Sequence, residues 1–232
     1  MYTTILWDLD NTLLDFTATE KHAFNASMRS AGLTPTDALL ALYSEINLAF
    51  WKRLERGELT REALLSQRFI SFFEAAGITG VDAAQFRDTY QNNLAGVCFY
   101  LEDALALCTR LHQTHRQYIV TNGVASTQRS RLRLGHLMEV MDGVFISEEL
   151  GCEKPAPEFF DICFRQIPGF RKEEAVIVGD SLTSDMLGGN QAGIACCWYN
   201  PRNLPAPDTI RIDHTIRTLQ ELLPIVQTLP KS

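Results

Sequence analysis

Five short apolar runs punctuate the chain: Thr4–Trp7, Gln117–Val120, Val144–Ile146, Ala175–Val178 and Ala195–Trp198. They are continuous rather than alternating, as in strands buried on both faces. Helical periodicity follows most of them, in Val124–Leu134, Pro157–Gln166 and Asp185–Ala192, while Leu101–His112 precedes the second run. Strands alternating with helices predict a doubly wound, Rossmann-like parallel α/β sheet.

Between the first and second runs the pattern changes. Residues 17 to 95 read as helix throughout, in Thr17–Ser30, Thr36–Leu54, Thr60–Ala76 and Ala83–Leu94, broken by Gly32, Gly57, Gly77 and Gly80. Thr17 with Glu20 and Asp82 with Gln85 have capping-box spacing, and Ser184 is a further candidate cap that lacks the acidic partner. The chain therefore divides into an α/β core, residues 1–16 and 96–232, and a helical insert, residues 17–95. An insert placed directly after the first strand is expected over the carboxyl ends of the strands, where ligands bind in such sheets and where a lid belongs. Asn200–Asp208, with three prolines, predicts a loop before a last strand or turn near Asp213 and a helix over Thr218–Leu229.

Composition narrows the function classes. The formal net charge is −7 over 232 residues, which argues against nucleic acid or an anionic membrane as the main partner. No apolar stretch approaches the length of a membrane span, and the amino-terminal residues do not read as a signal peptide. The six cysteines form no CxxC pair and the five histidines are scattered, so neither zinc nor disulfides are expected. Cys196 and Cys197 read as small buried hydrophobes in a reducing cytoplasm.

Chemistry concentrates where the runs end. The first gives Asp8-Leu9-Asp10. If the strand extends to Asp10, both carboxylates share a face, because strand side chains alternate. Like charges so close call for a hard cation or a shared proton. The second run ends in Thr121-Asn122-Gly123, a hydroxyl and amides that suit a phosphate oxygen. Lys154-Pro155 follows the third, and the fourth ends in Gly179-Asp180-Ser181-Leu182-Thr183-Ser184-Asp185. Singly, these have plain readings as turns, helix caps or a surface lysine. Their joint order, each after a strand, is what carries the functional reading.

That order resembles the haloacid dehalogenase superfamily of phosphatases, over the whole chain, with residues 17 to 95 as the helical cap of the family's first cap class. The resemblance implies that Asp8 is the nucleophile and forms an aspartyl-phosphate. Asp10 is the general acid and then the base, and its anionic neighbours are expected to favour the protonated form. Thr121 and the Asn122 amide hold the phosphate, and Lys154 neutralises charge. Mg²⁺, or another divalent ion such as Mn²⁺, is held by the Asp8 carboxylate, the Asp10 carbonyl and Asp180. Asp185 is a further metal-site residue, which orients Lys154 or a metal-bound water. Phe16, at the junction of core and insert, is a candidate substrate contact.

Within the superfamily, Trp7–Phe16, Ile146–Gly151 and Gly179–Ile194 are similar to the noncanonical pyrimidine 5′-nucleotidases. This implies a small phosphate ester as substrate, namely dUMP, UMP, dTMP or modified pyrimidine analogues. The alternatives are a phosphoglycolate or sugar-phosphate phosphatase, a phosphomutase and a phospho-accepting receiver module. A receiver has roughly half this length and no cap. A dehalogenase of this fold lacks the second acid that Asp10 supplies.

Overall fold

Three consecutive large apolar residues, Ile5, Leu6 and Trp7, set the centre of the sheet. With Thr4 they form β1 (Thr4–Trp7), in which every residue is buried. A buried backbone must be hydrogen-bonded on both edges. β1 is paired in parallel with β2 (Arg116–Thr121) on one side and β4 (Ala175–Gly179) on the other. With β3 (Gly143–Ile146), β5 (Ala195–Tyr199) and β6 (His214–Ile216), the order is β3-β2-β1-β4-β5-β6, parallel throughout. The order reverses at β1, so its carboxyl end is the topological switch point where ligands bind in open α/β sheets. The structure is a computed structural model and describes residues 1–227.

Both faces of the sheet are apolar, which is why the strands do not alternate in sequence. Ile5, Trp7, Ile119, Val176, Val178 and Cys197 share one core cluster, while Leu6, Tyr118, Val120, Ile177, Cys196 and Trp198 share the other. The neighbouring Cys196 and Cys197 thus enter opposite layers.

The chain forms two compact units, Met1–Phe16 with the chain from Cys98 onward, and Thr17–Val97. The second is built from α1 (Phe16–Ser30), α2 (Asp37–Glu55), α3 (Arg61–Ala76) and α4 (Ala83–Ala95). Its core is aromatic. Tyr43 stacks on Phe69 with centroids 5.0 Å apart, and Phe24, Phe72, Phe86 and Tyr90 pack around them. A polar chain crosses this core: Glu20 accepts from Ser44 Oγ (2.5 Å) and Asn47 Nδ2 (2.9 Å), and Asn47 Oδ1 accepts from Arg68 Nη1 (2.8 Å). Glu20 is therefore not the partner of Thr17 in a capping box, and α1 already includes Thr17. Thr36, Thr60 and Asp82 do cap α2, α3 and α4, accepting from N–H groups of the first turn.

In the α/β unit, α5 (Ala104–His112) and α6 (Ala125–Leu134) contribute Leu107, Cys108, Leu111 and Leu132 to the first face. The short α7 (Ser147–Leu150) follows β3. The other face is packed by α8 (Pro157–Gln166), through Phe159, Phe160 and Cys163, and by α9 (Leu187–Ala192), through Ala192. The helix expected from Asp185 opens instead with a wide π turn, Leu182–Met186, and the α-helical part begins at Leu187. The carboxyl-terminal helix starts later than its pattern suggests. A 3-10 turn, Leu219–Glu221, leads into α10 (Leu222–Gln227), with Pro224 in the first turn, where its missing N–H costs nothing. The rest of the expected helix, residues 228 and 229, lies outside the described residues.

Gly189 marks the closest approach between α9 and the sheet: a Cβ there would lie 2.6 Å from Cys196 Sγ and 2.7 Å from Ile177 Cγ2. Gly189→Ala is expected to destabilise the protein by ~1–3 kcal/mol through overpacking, and Ile177→Ala by ~2–5 kcal/mol through cavity formation. In the double variant the new methyl enters the space Ile177 vacates. Urea unfolding should then show a loss smaller than the sum by at least ~0.5 kcal/mol; strict additivity would mean that the two sites do not touch.

Candidate active site

One lysine gathers the carboxyl ends of β1, β2 and β4. Lys154 lies between α7 and α8, and its side chain is 1% exposed. Its Nζ donates to Asp8 Oδ1 (2.9 Å), Asp185 Oδ1 (2.6 Å) and the Val120 carbonyl (2.7 Å). All three ammonium hydrogens are thus used, as a buried ammonium requires. The Asn122 side chain fixes the backbone beneath it, accepting from Lys154 N (2.9 Å) and donating to Lys154 O (2.8 Å).

Asp8 follows β1 directly, and its Oδ2 accepts from Thr12 Oγ1 (3.0 Å). Asp185 is fully buried in the π turn, where both Asp185 N and Met186 N reach back to the Ser181 carbonyl. Its Oδ2 accepts from Ser181 N (3.1 Å), so each oxygen has a donor. Ser181, not Ser184, caps this turn, accepting from Ser184 N (3.2 Å). Gly179 is needed at the end of β4, because a Cβ there would lie 2.3 Å from Asp185 Oδ2. Asp180 is partly exposed, and Trp198 Nε1 donates to its carbonyl (2.9 Å).

Carboxylate oxygens of Asp8, Asp180 and Asp185 lie within 4.8 Å of one another. One ammonium against three carboxylates leaves uncompensated negative charge. Burial first, and then the Asp185 carboxylate, raises the Asp8 pKa to about 7 against the opposing pull of Lys154. Asp180 is also held well above the ordinary carboxylate range, by burial and by the charges of Asp8 and Asp185. Lys154 stays firmly protonated: burial opposes its charge, but Asp185 and Asp8 outweigh that. Oxygen donors with excess negative charge fit a hard divalent cation.

Asp10 departs from the expected arrangement. β1 ends at Trp7, and Asn11, in the left-handed region at φ 61°, turns the chain. Asn11 N reaches the Leu14 carbonyl, while Leu13 N and Leu14 N reach the Leu9 carbonyl. Asp8 and Asp10 therefore do not share a strand face. The Asp10 carboxylate faces α6, where Oδ2 accepts from Gln128 Nε2 (2.6 Å) and Oδ1 from Arg131 Nη1. Its immediate partners are an amide and a cation, not the anionic groups expected. Thr121 ends β2, and its Oγ1 accepts from the same Gln128 Nε2 (2.9 Å) and from Gly123 N (3.3 Å). The Phe16 ring lies under the Arg131 guanidinium, 5.9 Å from Cζ to centroid. Glu148 accepts from Ala125 N at the start of α6, and Glu149 pairs with Arg129 through two bonds of 2.6 Å, tying the residues after β3 to this helix.

Residues 2–193 match the haloacid dehalogenase-like hydrolases as a family. The chain belongs to that family. Its relatives include HAD-hydrolase YfnB of Bacillus subtilis, 36% identical over 97% of this chain and 95% of the relative. Pyrimidine 5′-nucleotidase PynA of Streptococcus pneumoniae is 35% identical over 96% and 94%. Pyrimidine 5′-nucleotidase YjjG of Escherichia coli is 30% identical over 94% and 95%. The crystal structure of YfnB bound to magnesium matches this fold with a TM-score of 0.92, covering 98% of this chain and 99% of that one. The L-2-haloacid dehalogenase of Xanthobacter autotrophicus, at TM-score 0.76 and 15% identity, shares the fold alone.

In this member of the hydrolase family, Thr12, the last residue of the Asp8–Thr12 motif, bonds Asp8, and Gln128 and Arg131 belong to the polar constellation although no motif marks them. Gln128 and Arg131 stand three apart on α6, which puts them on one helix face. That spacing behind Thr121-Asn122-Gly123 was the available signal. Among the described residues, no helix is long and apolar enough to cross a membrane.

The raised Asp8 pKa has a definite sign in stability. A carboxyl that binds its proton more tightly when folded contributes stability that is complete below the unfolded pKa of ~4 and lost as pH rises through the folded value. In EDTA, the stability of the wild type relative to Asp8→Asn should therefore fall between pH ~4 and about 7, by on the order of a few kcal/mol. Urea unfolding at each pH reads it. A pH-independent difference would mean that Asp8 titrates as an ordinary surface carboxyl.

Proposed function

We propose that the chain is a phosphoric monoester hydrolase that cleaves nucleoside 5′-monophosphates, pyrimidines preferred, through an aspartyl-phosphate on Asp8. One observation carries the chemistry: Asp8, at the switch point of the sheet, has one oxygen held by Lys154 and the other by Thr12, within reach of two further carboxylates. The substrate class follows from the relatives named pyrimidine 5′-nucleotidase, which are similar to this chain over nearly its full length.

In this reading an Asp8 oxygen attacks phosphorus and the ester oxygen leaves on the opposite side. The leaving oxygen takes a proton from Asp10. Water then attacks the phosphorus of the aspartyl-phosphate, giving its proton to Asp10 and releasing phosphate. The Thr121 hydroxyl and the Asn122 backbone N–H hold the phosphate oxygens. Lys154 offsets their charge, and Asp185 keeps Lys154 in place. Phosphoryl transfer depends on such positioning and neutralisation more than on covalent assistance. The Asp8 and Asp180 carboxylates, with the Asp10 carbonyl, would hold a divalent ion, Mg²⁺ above all. When bound, it supplies positive charge to the phosphate that Lys154 alone does not match. Phe16 contacts the leaving group.

Phosphate release tests this reading on dUMP, UMP, dTMP, purine monophosphates, phosphoglycolate and hexose phosphates, with Mg²⁺ and with EDTA. Turnover should require the metal and be fastest on the pyrimidine nucleotides. Asp8→Asn should fold normally and lose at least ~10³-fold in kcat, because an amide cannot form the acyl-phosphate. Fastest turnover on phosphoglycolate or a hexose phosphate would replace the substrate class. Near-native turnover by Asp8→Asn would remove the nucleophile.

A further inference from the structure

Arg131 is a costly residue for this fold. It is 1% exposed, yet Nε and Nη2 find no hydrogen-bond partner among the described residues. Buried polar groups are normally satisfied, and exceptions cluster where function requires them. The one satisfied nitrogen, Nη1, donates to both Asp10 Oδ1 and Gln128 Oε1, the latter at 3.0 Å. The guanidinium carbon lies over the Phe16 ring.

Gln128 is the hub of the arrangement. Its Oε1 faces a group that can only donate, so Nε2 must be the end turned towards Asp10 and Thr121. Nε2 bridges Asp10 Oδ2 (2.6 Å) and Thr121 Oγ1 (2.9 Å). Gly123 makes room for it: a Cβ at that position would lie 2.3 Å from Gln128 Nε2. The site thus gives up a side chain on the phosphate loop to admit this amide. Each Asp10 oxygen takes one donor from α6 and keeps a second acceptor position, since a carboxylate oxygen can accept twice. The plane of the carboxylate is fixed while one side of each oxygen stays available.

We propose that Gln128 and Arg131 are positioning residues for the acid–base carboxylate of Asp10, with Gln128 also setting its distance from the phosphate-holding hydroxyl of Thr121. This rests on the reading of Asp10 as general acid. Two donors on one rigid helix hold both oxygens of a carboxylate that stands at the start of a tight turn and would otherwise rotate freely. Proton transfer from a misplaced acid is slow even when the phosphate is well bound.

The test exploits leaving-group chemistry. kcat/KM reports on steps through departure of the leaving group, so later hydrolysis of the aspartyl-phosphate does not enter. A nucleoside 5′-monophosphate releases a poor alkoxide and needs the acid; p-nitrophenyl phosphate releases a stable phenolate and does not. Both esters are measured with wild type, Asp10→Asn, Gln128→Met, Gln128→Ala, Arg131→Lys and Arg131→Met. Gln128→Met keeps the side-chain volume if Gln128→Ala fails to fold. The ratio of kcat/KM on the nucleotide to that on the aryl ester should fall by at least ~30-fold in the Gln128 variants, a part of the ~10²–10⁴-fold that general acid catalysis contributes in full. Arg131→Lys, which keeps a charge near Asp10 Oδ1, should lose less of the ratio than Arg131→Met. A structural role would lower both esters together and leave the ratio unchanged, and that result would overturn the proposal. Asp10→Asn separates the two layers. If it leaves the ratio unchanged, the general-acid reading fails; if it lowers the ratio and the α6 variants do not, the positioning inference alone fails.

Discussion

Everything at the sheet's carboxyl edge is arranged around a single ammonium that water cannot reach. Lys154 offers three hydrogens to two carboxylates and a strand carbonyl, and each acceptor belongs to a different strand end. Removing it would leave buried carboxylates facing one another without a counter-charge. Such a break in a buried ion pair typically costs ~3–5 kcal/mol. The Asn122 clasp, the Gly179 approach and the Ser181 N–H to Asp185 are all means of delivering that ammonium and its partners to one place. The attraction is incomplete by design of charge. One cation does not offset three acids, and the residue is an appetite for a second, harder cation.

The two carboxylates nearest in sequence have been separated in kind. Asp8 sits among acids and a lysine; Asp10, two residues on, sits between an amide and an arginine. The turn at Asn11 produces that separation. A strand continuing through Leu9 would have stacked like charges on one face, whereas the turn sends Asp10 towards α6. Different surroundings let the same side chain do different work, as acid–base assignments in other enzymes require.

The sheet was legible because its strands are buried on both faces and read as unbroken apolar runs, with Thr4–Trp7 matching to the residue. Helix starts were legible where a side chain caps them, as at Thr36, Thr60 and Asp82. What escaped was determined by tertiary contact. Glu20 had the spacing of a capping partner, but Ser44 and Asn47 compete for its oxygens. The π turn at Leu182–Met186 arises because two successive N–H groups share the Ser181 carbonyl, a choice that no local propensity announces. Asp8, Lys154 and Asp185 could be picked out because strand ends converge in this topology. Gln128 and Arg131 could not, since a polar glutamine and arginine on a helix ordinarily face solvent. Only the position of Asp10 gives them another purpose.

The place of β1 in the sheet has a consequence in time. Of the six described strands the earliest in sequence is a central one, and its partners lie far along the chain: Thr4 is in register with Arg116 and Ala175. At translation speeds of ~5–20 residues per second, β1 waits roughly 10–30 s for its second partner. Until β2 is made, Ile5, Leu6 and Trp7 have no strand to pair with, while the helices from Phe16 to Ala95 already have their aromatic partners. Asp180 and Asp185 emerge later still. The nascent chain therefore carries Asp8 long before the charges that will surround it, Lys154, Asp180 and Asp185, have been made.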